Sequence, residues 1–507
     1  MTSLGWDAED AAGKAAGRTG GTGGTGAVAR VAAELRVLRR EAPRGRTLLA
    51  LGVGLASLLL YGLVRHLIGV SMVDIVVYRA EGSAVAHHGD LYGLTVTRWN
   101  LTATYPPFAA MLFTPTALLP VGLLRVLVSG GNLLLLGALA WLSAELVGWP
   151  RRGLRPALVF LAVGLGVWLE PVFTTLRYGQ INLLIDCLVL HDLNRPDGSR
   201  GKGVGIGLAT AIKLTPGLFA VYLLVSGRGR AAVTAGASCV ATMLVGAVAM
   251  PDASRAFWTG YVFDTGRVGK VYIVDNQSLR GLFERVLHTD VPGPLVLLAT
   301  VLTAAAGLAV AVALHRGAAG VERARAWSVL CVAITGVLVS PISWTHHWVW
   351  CVPLLVLLAA EAAQERTAAR AARRVGRTTV RRPWRTVFLA TGTAFCSYAM
   401  WLVPHHGLSN LHIPLPLQPF AGIYPLVGLA FLGLAAERLR RGRRRLRRQS
   451  AQGWPLQWSS VSGQERGELP VHVQPGVLAS RRHPAERALQ PGGDGSGRSL
   501  QQGVPGR

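Results

Sequence analysis

Long apolar segments alternate with short polar ones along most of this chain. Runs of about 20 apolar residues recur from Leu48 to about Leu434, and a helix needs a run of that length to cross the hydrocarbon core of a bilayer. The runs lack the apolar–polar alternation of membrane β-strands, and only helices or closed barrels satisfy the backbone inside lipid. The pattern therefore predicts an all-α polytopic membrane protein.

Two segments depart from this pattern. Ala109–Leu119 is too short to cross and contains Pro115, so we predict a re-entrant or interfacial helix there. Gly203–Val225 is long enough, but both of its flanks are basic and Pro216 interrupts it. A broken helical hairpin would keep both flanks on one side of the membrane. Together, the segments predict about ten full crossings within a bundle of about 10–12 transmembrane helices.

Basic residues lie beside the apolar segments. The 507-residue chain is 51% hydrophobic with a mean hydropathy of +0.38, and its net charge is +26. In a soluble protein this charge would indicate nucleic acid as a partner, but clusters such as Arg438–Arg448 flank membrane segments and fit the positive-inside rule. We therefore predict a protein of the cell (plasma) membrane whose partner is the lipid bilayer and not nucleic acid, with both termini cytoplasmic.

Composition divides the chain into three regions. Residues 1–46 are predicted to form a disordered, basic cytoplasmic N-terminus, residues 47–440 the membrane domain, and residues 441–507 a basic, disordered cytoplasmic tail. No G-x-x-x-x-G-K-S/T phosphate loop occurs, and no stretch is long enough for a soluble nucleotide-binding domain. If the chain transfers a sugar, its donor would therefore have to arrive through the membrane.

The polar segments that this topology places on the outer face carry the candidate chemistry. Carboxylates, amides, imidazoles and aromatic rings together are typical of sugar sites, and an acid or imidazole can act as a general base. The candidates of these types are Asp74, Tyr78, Tyr105, Gln180, Asn182, Asn276, Gln277, Ser278, Trp344, His346 and His347. Lys213 and Arg280 are candidates for binding a phosphate group.

Structural roles are alternatives for several of these residues. Asp74 could be a solvated loop acid that ends a helix, and His346 and His347 could be interfacial histidines beside a belt of tryptophans. The run Asp275–Ser278 could cap the helix that follows it, since Asp, Asn and Ser are good N-caps. Lys213 could extend its ammonium group to the membrane interface. The residues alone leave these alternatives open.

Seven short motifs follow one another in the membrane domain. They are D-x-x-x-Y at Asp74 and Tyr78, G-D-L-Y-G at Gly89–Gly93, Y-P-P-F at Tyr105–Phe108, G-Q-I-N at Gly179–Asn182, A-I-K-L-T-P at Ala211–Pro216, D-N-Q-S-L at Asp275–Leu279 and S-P-I-S-W-T-H-H-W at Ser340–Trp348. In this order the chain resembles glycosyltransferase family 87, the polyprenol-phosphate-mannose-dependent α-(1→2)-mannosyltransferases of actinobacterial type. The resemblance extends from about Thr47 to Arg440.

This resemblance implies a GT-C type membrane fold with its active site on the extracytoplasmic face. The implied reaction transfers mannose from polyprenyl-phosphate-mannose to a hydroxyl group of a cell-envelope glycolipid, lipoglycan or glycoprotein, with inversion at the anomeric carbon. It further implies that Asp74, or a histidine of the pair His346 and His347, is the catalytic base. No metal and no other cofactor is expected.

Two other functions stay open at this point. An ion or solute transporter could line a path with intramembrane Lys213, Asp186 and Glu170, although no internal repeat is visible. Another polyprenyl-phosphate-sugar-dependent GT-C enzyme, such as an arabinofuranosyltransferase, would differ in its donor sugar.

Overall fold

The computed structural model describes residues 44–69, 71–317, 321–376 and 383–451. All of them belong to one unit. Residues 1–43 of the predicted disordered N-terminus and residues 452–507 of the predicted tail lie outside the described residues. The boundary predicted at residue 440 falls within a helix that continues to Ala451.

Helices form nearly all of the regular structure in these ranges, which confirms the all-α class. They are α1 (Arg44–Ile68), α2 (Val73–Ala86), α3 (Pro107–Ala117), α4 (Val121–Val147), α5 (Arg155–Gly166), α6 (Glu170–Tyr178), α7 (Asn182–Asn194), α8 (Val204–Ile212), α9 (Gly217–Val225), α10 (Gly229–Ala249), α11 (Pro251–Thr259), α12 (Leu279–Leu287), α13 (Pro294–Arg316), α14 (Ala324–Val339), α15 (Cys351–Arg374), α16 (Trp384–Cys396), α17 (Gln418–Ala421) and α18 (Ile423–Ala451). A small antiparallel hairpin pairs β1 (Thr95–Val96) with β2 (Leu101–Thr102).

Five helices are long and apolar enough to cross a membrane, namely α1, α4, α10, α13, and α15 together with the turn before it. Two bent helix pairs, α5 with α6 and the α17 region with α18, raise this number to seven if each pair is one span. The polytopic membrane class is confirmed, but the described residues hold fewer full-length spans than the predicted 10–12. Helix length is the reason, because a helix such as α7, with 13 residues, extends only about 20 Å against a hydrocarbon core of about 30 Å.

The two segments that depart from the long apolar pattern form short helices. Helix α3 has 11 residues, contains Pro115 without a break and ends at Ala117, and Pro120 precedes α4. Helices α8 and α9 are separated by Lys213–Pro216, and the backbone of Lys213 is extended, with φ −148° and ψ 129°. This break gives the Lys213 side chain a position between two helix ends. The side of the membrane on which these segments lie stays a prediction.

The turn between α6 and α7 contains a glycine and packs against the start of α2. Gly179 lies in this turn with φ +74°, and a Cβ there would approach the Cβ of Ile75 to 3.0 Å, so the position favours glycine for both conformation and space. Just before α2, Met72 donates its backbone N–H to the carbonyl oxygen of Arg177 at 2.9 Å. These contacts place the first turn of α2 beside the α6–α7 turn.

Glu170, at the start of α6, is fully buried, and its side chain connects distant segments of the chain by hydrogen bonds. Its carboxylate accepts hydrogen bonds from Thr174 Oγ1 at 2.7 Å, Tyr424 Oη at 2.8 Å and Trp401 Nε1 at 3.3 Å. The bonds join α6 to α18 and to the segment before α17. Because these partners occupy both carboxylate oxygens, the structure does not support a role for Glu170 in a transport path.

Candidate active site

Asp74 lies in the first turn of α2 and faces the turn between α6 and α7. Gln180 Nε2 donates a hydrogen bond of 2.6 Å to Asp74 Oδ2. Among the described residues Asp74 Oδ1 has no hydrogen-bond partner, and it is not among the buried oxygens. Burial raises the pKa of Asp74 to about 6, while the hydrogen bond from Gln180 and the charge of Lys213 oppose that rise. Asp74 can therefore take up a proton near neutral pH through its free oxygen.

Gln180 is the centre of a network of phenol and amide groups. Its Oε1 accepts a hydrogen bond from Tyr78 Oη at 2.9 Å and lies 3.5 Å from Tyr105 Oη. The two phenol oxygens are themselves 2.9 Å apart. Since the ionised carboxylate of Asp74 can only accept, Nε2 must face it, and Oε1 is then left to accept from the phenols. The structure thus brings four predicted site residues into direct contact.

Lys213 joins the same network from the break between α8 and α9. Its Nζ donates a hydrogen bond of 3.0 Å to Asn182 Oδ1 and lies 2.7 Å from His347 Nε2. Asn182 Nδ2 in turn donates to the backbone carbonyl of His346 at 3.0 Å and lies 3.5 Å from Gln180 Oε1. With an ammonium as donor, His347 Nε2 must accept, so the proton of this ring is on Nδ1.

His346 is enclosed by other side chains. It is 6% exposed, and its Nε2 has no hydrogen-bond partner among the described residues. Its ring meets the edge of Tyr178 at 5.7 Å and that of His347 at 4.9 Å between ring centroids. His346 Nε2 is therefore closed to the surface, whereas His346 Nδ1, like Asp74 Oδ1, is not among the buried atoms without a partner.

Gln277 and Ser278 are fully buried and bind the protein's own backbone. Ser278 Oγ accepts the backbone N–H of Gly281 at 3.0 Å, which confirms the interpretation of this residue as the N-cap of α12. Gln277 donates to the carbonyl of Ala421 at 2.7 Å and accepts the N–H of Tyr424 at 3.1 Å. The structure does not place either side chain where the predicted substrate contact requires it.

Asn276 positions the segment that carries the two histidines. It is fully buried, accepts the backbone N–H of Ser343 at 2.8 Å and donates to the carbonyl of Pro341 at 3.1 Å. Its backbone forms a β-bridge with Trp344, whose half-buried ring packs against Gly269. Asn276 therefore acts on the site through this segment, and direct contact with substrate, as predicted, does not follow from its position.

Arg280 forms an ion pair with Glu284 one turn along α12, with 2.9 Å between Nε and Oε1. In the described part of the chain no contact joins Arg280 to Lys213 or Asp74. Of the two predicted phosphate-binding residues, the structure places Lys213 in the site and leaves Arg280 outside it.

Glu81 was missed by the analysis of the sequence. It shares one face of α2 with Asp74 and Tyr78 and is fully buried. Both of its carboxyl oxygens are buried without a hydrogen-bond partner among the described residues, and burial raises the pKa of Glu81 to about 8, so this group is mostly neutral at pH 7. The signal was available, because spacings of four and three residues place all three side chains on one helix face.

A cavity beside Lys213 has one polar end and apolar walls. Asn182, Lys213 and His347 form its polar end. Asp186, one turn after Asn182, also lines it, is 4% exposed, and has no partner for Oδ2 among the described residues. The apolar lining comprises Ile185, Leu218, Phe219, Val332, Ala333, Val337 and Trp350. The cavity has a volume of about 40 Å³, which is room for a few water molecules, so a lipid-linked sugar could enter here only if the cavity widened.

A known protein family matches the part of the chain that carries much of this site. The family model described as glycosyltransferase family 87 matches residues 103–341. The match includes Tyr105, Gln180, Asn182 and Lys213 and ends before the two histidines, while Asp74 precedes it.

Individual relatives extend further along the chain. A Mycobacterium tuberculosis protein named polyprenol-phosphate-mannose-dependent alpha-(1-2)-phosphatidylinositol pentamannoside mannosyltransferase is 37% identical over 308 residues, which cover 60% of this chain and 69% of that protein. A Mycolicibacterium smegmatis protein named polyprenol-phosphate-mannose-dependent alpha-(1-2)-phosphatidylinositol mannoside mannosyltransferase is 32% identical over 360 residues, or 66% of this chain and 77% of that protein. No solved structure matches the chain. The chain therefore belongs to glycosyltransferase family 87 and is an integral membrane glycosyltransferase.

Proposed function

We propose that this enzyme transfers a mannosyl residue from polyprenyl-phosphate-mannose to a hydroxyl group of a phosphatidylinositol mannoside, in α-(1→2) linkage and with inversion. The names of its relatives support this donor and this acceptor class. The observation that carries the proposal is the chain of contacts from Asp74 through Gln180 and Asn182 to Lys213, beside a cavity with apolar walls. It supplies the two groups that the reaction needs, a base for the acceptor hydroxyl and a cation for the lipid phosphate.

We assign the role of general base to Asp74. Its Oδ1 is open, and its pKa of about 6 leaves it mostly ionised at neutral pH. His347 Nε2 is occupied by Lys213, and of the two nitrogens of His346 only Nδ1 is open. The resemblance to the family left this choice open, and we choose the carboxylate because it is ionised at neutral pH and is bonded directly to Gln180.

The proposed step is a single displacement at the anomeric carbon. The acceptor oxygen forms a bond to that carbon while the bond from the carbon to the phosphate oxygen breaks. The hydroxyl proton passes to Asp74, and polyprenyl phosphate leaves with the bonding electron pair toward Lys213. A single displacement inverts the anomeric configuration, and base and leaving group must lie on opposite faces of the sugar.

A reconstitution experiment tests this function. Purified enzyme in liposomes is given labelled polyprenyl-phosphate-mannose and a phosphatidylinositol mannoside, in the presence of a chelator of divalent cations. We expect a product one mannose longer, with an α-(1→2) linkage shown by linkage analysis. Efficient transfer from GDP-mannose without a lipid-linked intermediate would contradict the proposal. A strict need for divalent metal would contradict the predicted metal independence.

The pH dependence of kcat/KM should reflect the protonation of Asp74. A base must be deprotonated to act, so we expect kcat/KM to fall as the pH drops through about 6. The Gln180→Leu variant removes a hydrogen bond that stabilises the ionised carboxylate. The pKa of Asp74 then rises, and the acid limb should move to higher pH. An acid limb at the same pH in both proteins would show that another group titrates.

Accessible cysteines can test the predicted sidedness. Helix α7 has the site at Asn182, whereas the ion pair of Lys202 with Asp197 (2.7 Å) lies beyond its other end. In a background without native cysteines, we expect an impermeant thiol reagent to label Arg98→Cys on intact cells. Labelling of Arg200→Cys should require permeabilised cells. The reverse pattern would contradict an extracytoplasmic site and a cytoplasmic basic end.

A further inference from the structure

Arg65, near the end of α1, is a buried cation without an acid. It is 6% exposed, and neither Nη1 nor Nη2 has a hydrogen-bond partner among the described residues. Its guanidinium carbon lies 5.2 Å from the centre of the Phe173 ring, and Tyr61 and Tyr398 make edge contacts with that ring at 5.6 and 5.7 Å. Cation–π contact returns only part of the hydration that a buried guanidinium loses. The surroundings of Arg65 therefore lack the anion that it requires.

A second cation lies on the same helix face. Arg177 is half-buried at the end of α6 and follows Phe173, the residue that Arg65 covers, by one helical turn. Its guanidinium lies over the ring of Tyr178 at 5.6 Å and forms no ion pair with a described residue. Two neighbouring guanidinium groups without a carboxylate repel one another, and an anion that contacts both removes the repulsion. Because Arg177 is half-exposed, an anion can reach it from the surface.

The arginine pair is built into the frame of the active site. The carbonyl oxygen of Arg177 accepts hydrogen bonds from Met72 N at 2.9 Å and Ser71 Oγ at 3.3 Å, just before the helix that carries Asp74. The next residue, Tyr178, contacts His346. An anion at Arg177 would thus lie on the side of the site that α1 forms. Lys213 belongs to a different part of the site, the break between α8 and α9.

We propose that Arg65 and Arg177 bind the phosphodiester group of the glycolipid acceptor. This inference rests on the proposed function. The donor phosphate is bonded to the reacting carbon and must lie within the site, where Lys213 is available. The acceptor phosphodiester is separated from the reacting hydroxyl by sugar rings, so its cations must lie to one side of Asp74. A planar guanidinium pair suits the two free oxygens of a phosphodiester, and the end of a membrane helix places it near lipid headgroups.

Kinetics with two acceptors test the assignment. We expect Arg177→Gln and Arg65→Gln each to raise KM for the phosphatidylinositol mannoside tenfold or more. The KM for polyprenyl-phosphate-mannose should stay the same. Transfer to octyl α-mannoside, an acceptor without phosphate, should be unaffected in both variants. Arg98→Gln, a change of an exposed loop arginine, is the matched control and should leave all three values unchanged.

Direct binding separates this inference from the proposed reaction. Native mass spectrometry of detergent-purified protein should show bound phosphatidylinositol on the unaltered enzyme and at least tenfold less on Arg177→Gln, with no change for diacylglycerol, which has no phosphate. This measurement needs no turnover, so it holds even if the donor assignment fails. Arg177 is half-exposed, so its variant tests the site even if Arg65→Gln does not fold. Unchanged lipid binding together with an unchanged acceptor KM would overturn the proposal, and so would a rise confined to the donor KM.

Discussion

Asp74→Asn should lower kcat for mannosyl transfer by about 10³-fold, within the range expected for loss of a general base. The asparagine keeps the size of the side chain and can still accept the hydrogen bond that Gln180 donates to Asp74. It loses the ability to take the hydroxyl proton and the negative charge beside Lys213. Steady-state transfer by purified enzyme, at saturating donor and acceptor, measures the effect. Thermal unfolding in detergent should show a folded protein.

The matched control changes an exposed aspartate in the same way. Asp264 lies in the segment between α11 and α12 and outside the site network. The turnover of Asp264→Asn should therefore equal that of the unaltered enzyme. The histidine alternative makes the opposite prediction. If Asp74→Asn kept near-normal turnover while His346→Gln or His347→Gln abolished it, the base would be a histidine and the assignment of Asp74 would be wrong.

The helical architecture could be predicted from the sequence because lipid leaves the backbone few choices. Apolar runs show where helices lie, and Pro216 shows where one of them breaks, although α3 continues through Pro115. The number of full spans could not be obtained in the same way. Hydropathy does not distinguish one long helix from two short ones, and α6 meets α5 at a bend of 72°. Such bends depend on contacts between distant residues, such as that of Gly179 with Ile75.

The candidate site was only partly predictable, for a similar reason. Residue type indicated that Asp74, Gln180 and Lys213 are chemically active, and the structure joins them in one network. Residue type could not show whether a buried amide binds substrate or backbone. Gln277 has the same side chain as Gln180, yet its partners are the backbone of Ala421 and Tyr424. The fold alone determines that Gln180 contacts Asp74 whereas Gln277 contacts the backbone.

Lys213→Met should lower kcat/KM by about 10²–10³-fold, the effect typical of removing one group that stabilises developing charge. Two causes act together. The variant loses the cation that we propose for the departing phosphate, and it loses a charge that lowers the pKa of Asp74. The first effect requires the charged ammonium, and because burial lowers the pKa of Lys213 to about 7, it fades as the pH rises through that value. The second moves the acid limb upward and so matters only at low pH.

A complete pH profile of Lys213→Met separates these two causes. The acid limb of each profile, fitted with its own pKa, gives the kcat/KM that each protein would reach with Asp74 fully ionised. The ratio of these two fitted values measures the action of the Lys213 ammonium on the phosphate. Lys270→Met, a change of an exposed loop lysine, should reproduce the profile of the unaltered enzyme. Lys213→Arg keeps the charge but not the compact ammonium that reaches Asn182 and His347, so we expect an intermediate rate and little movement of the acid limb. A ratio near one would mean that Lys213 acts only on the protonation of Asp74, and the donor phosphate would then need another cation.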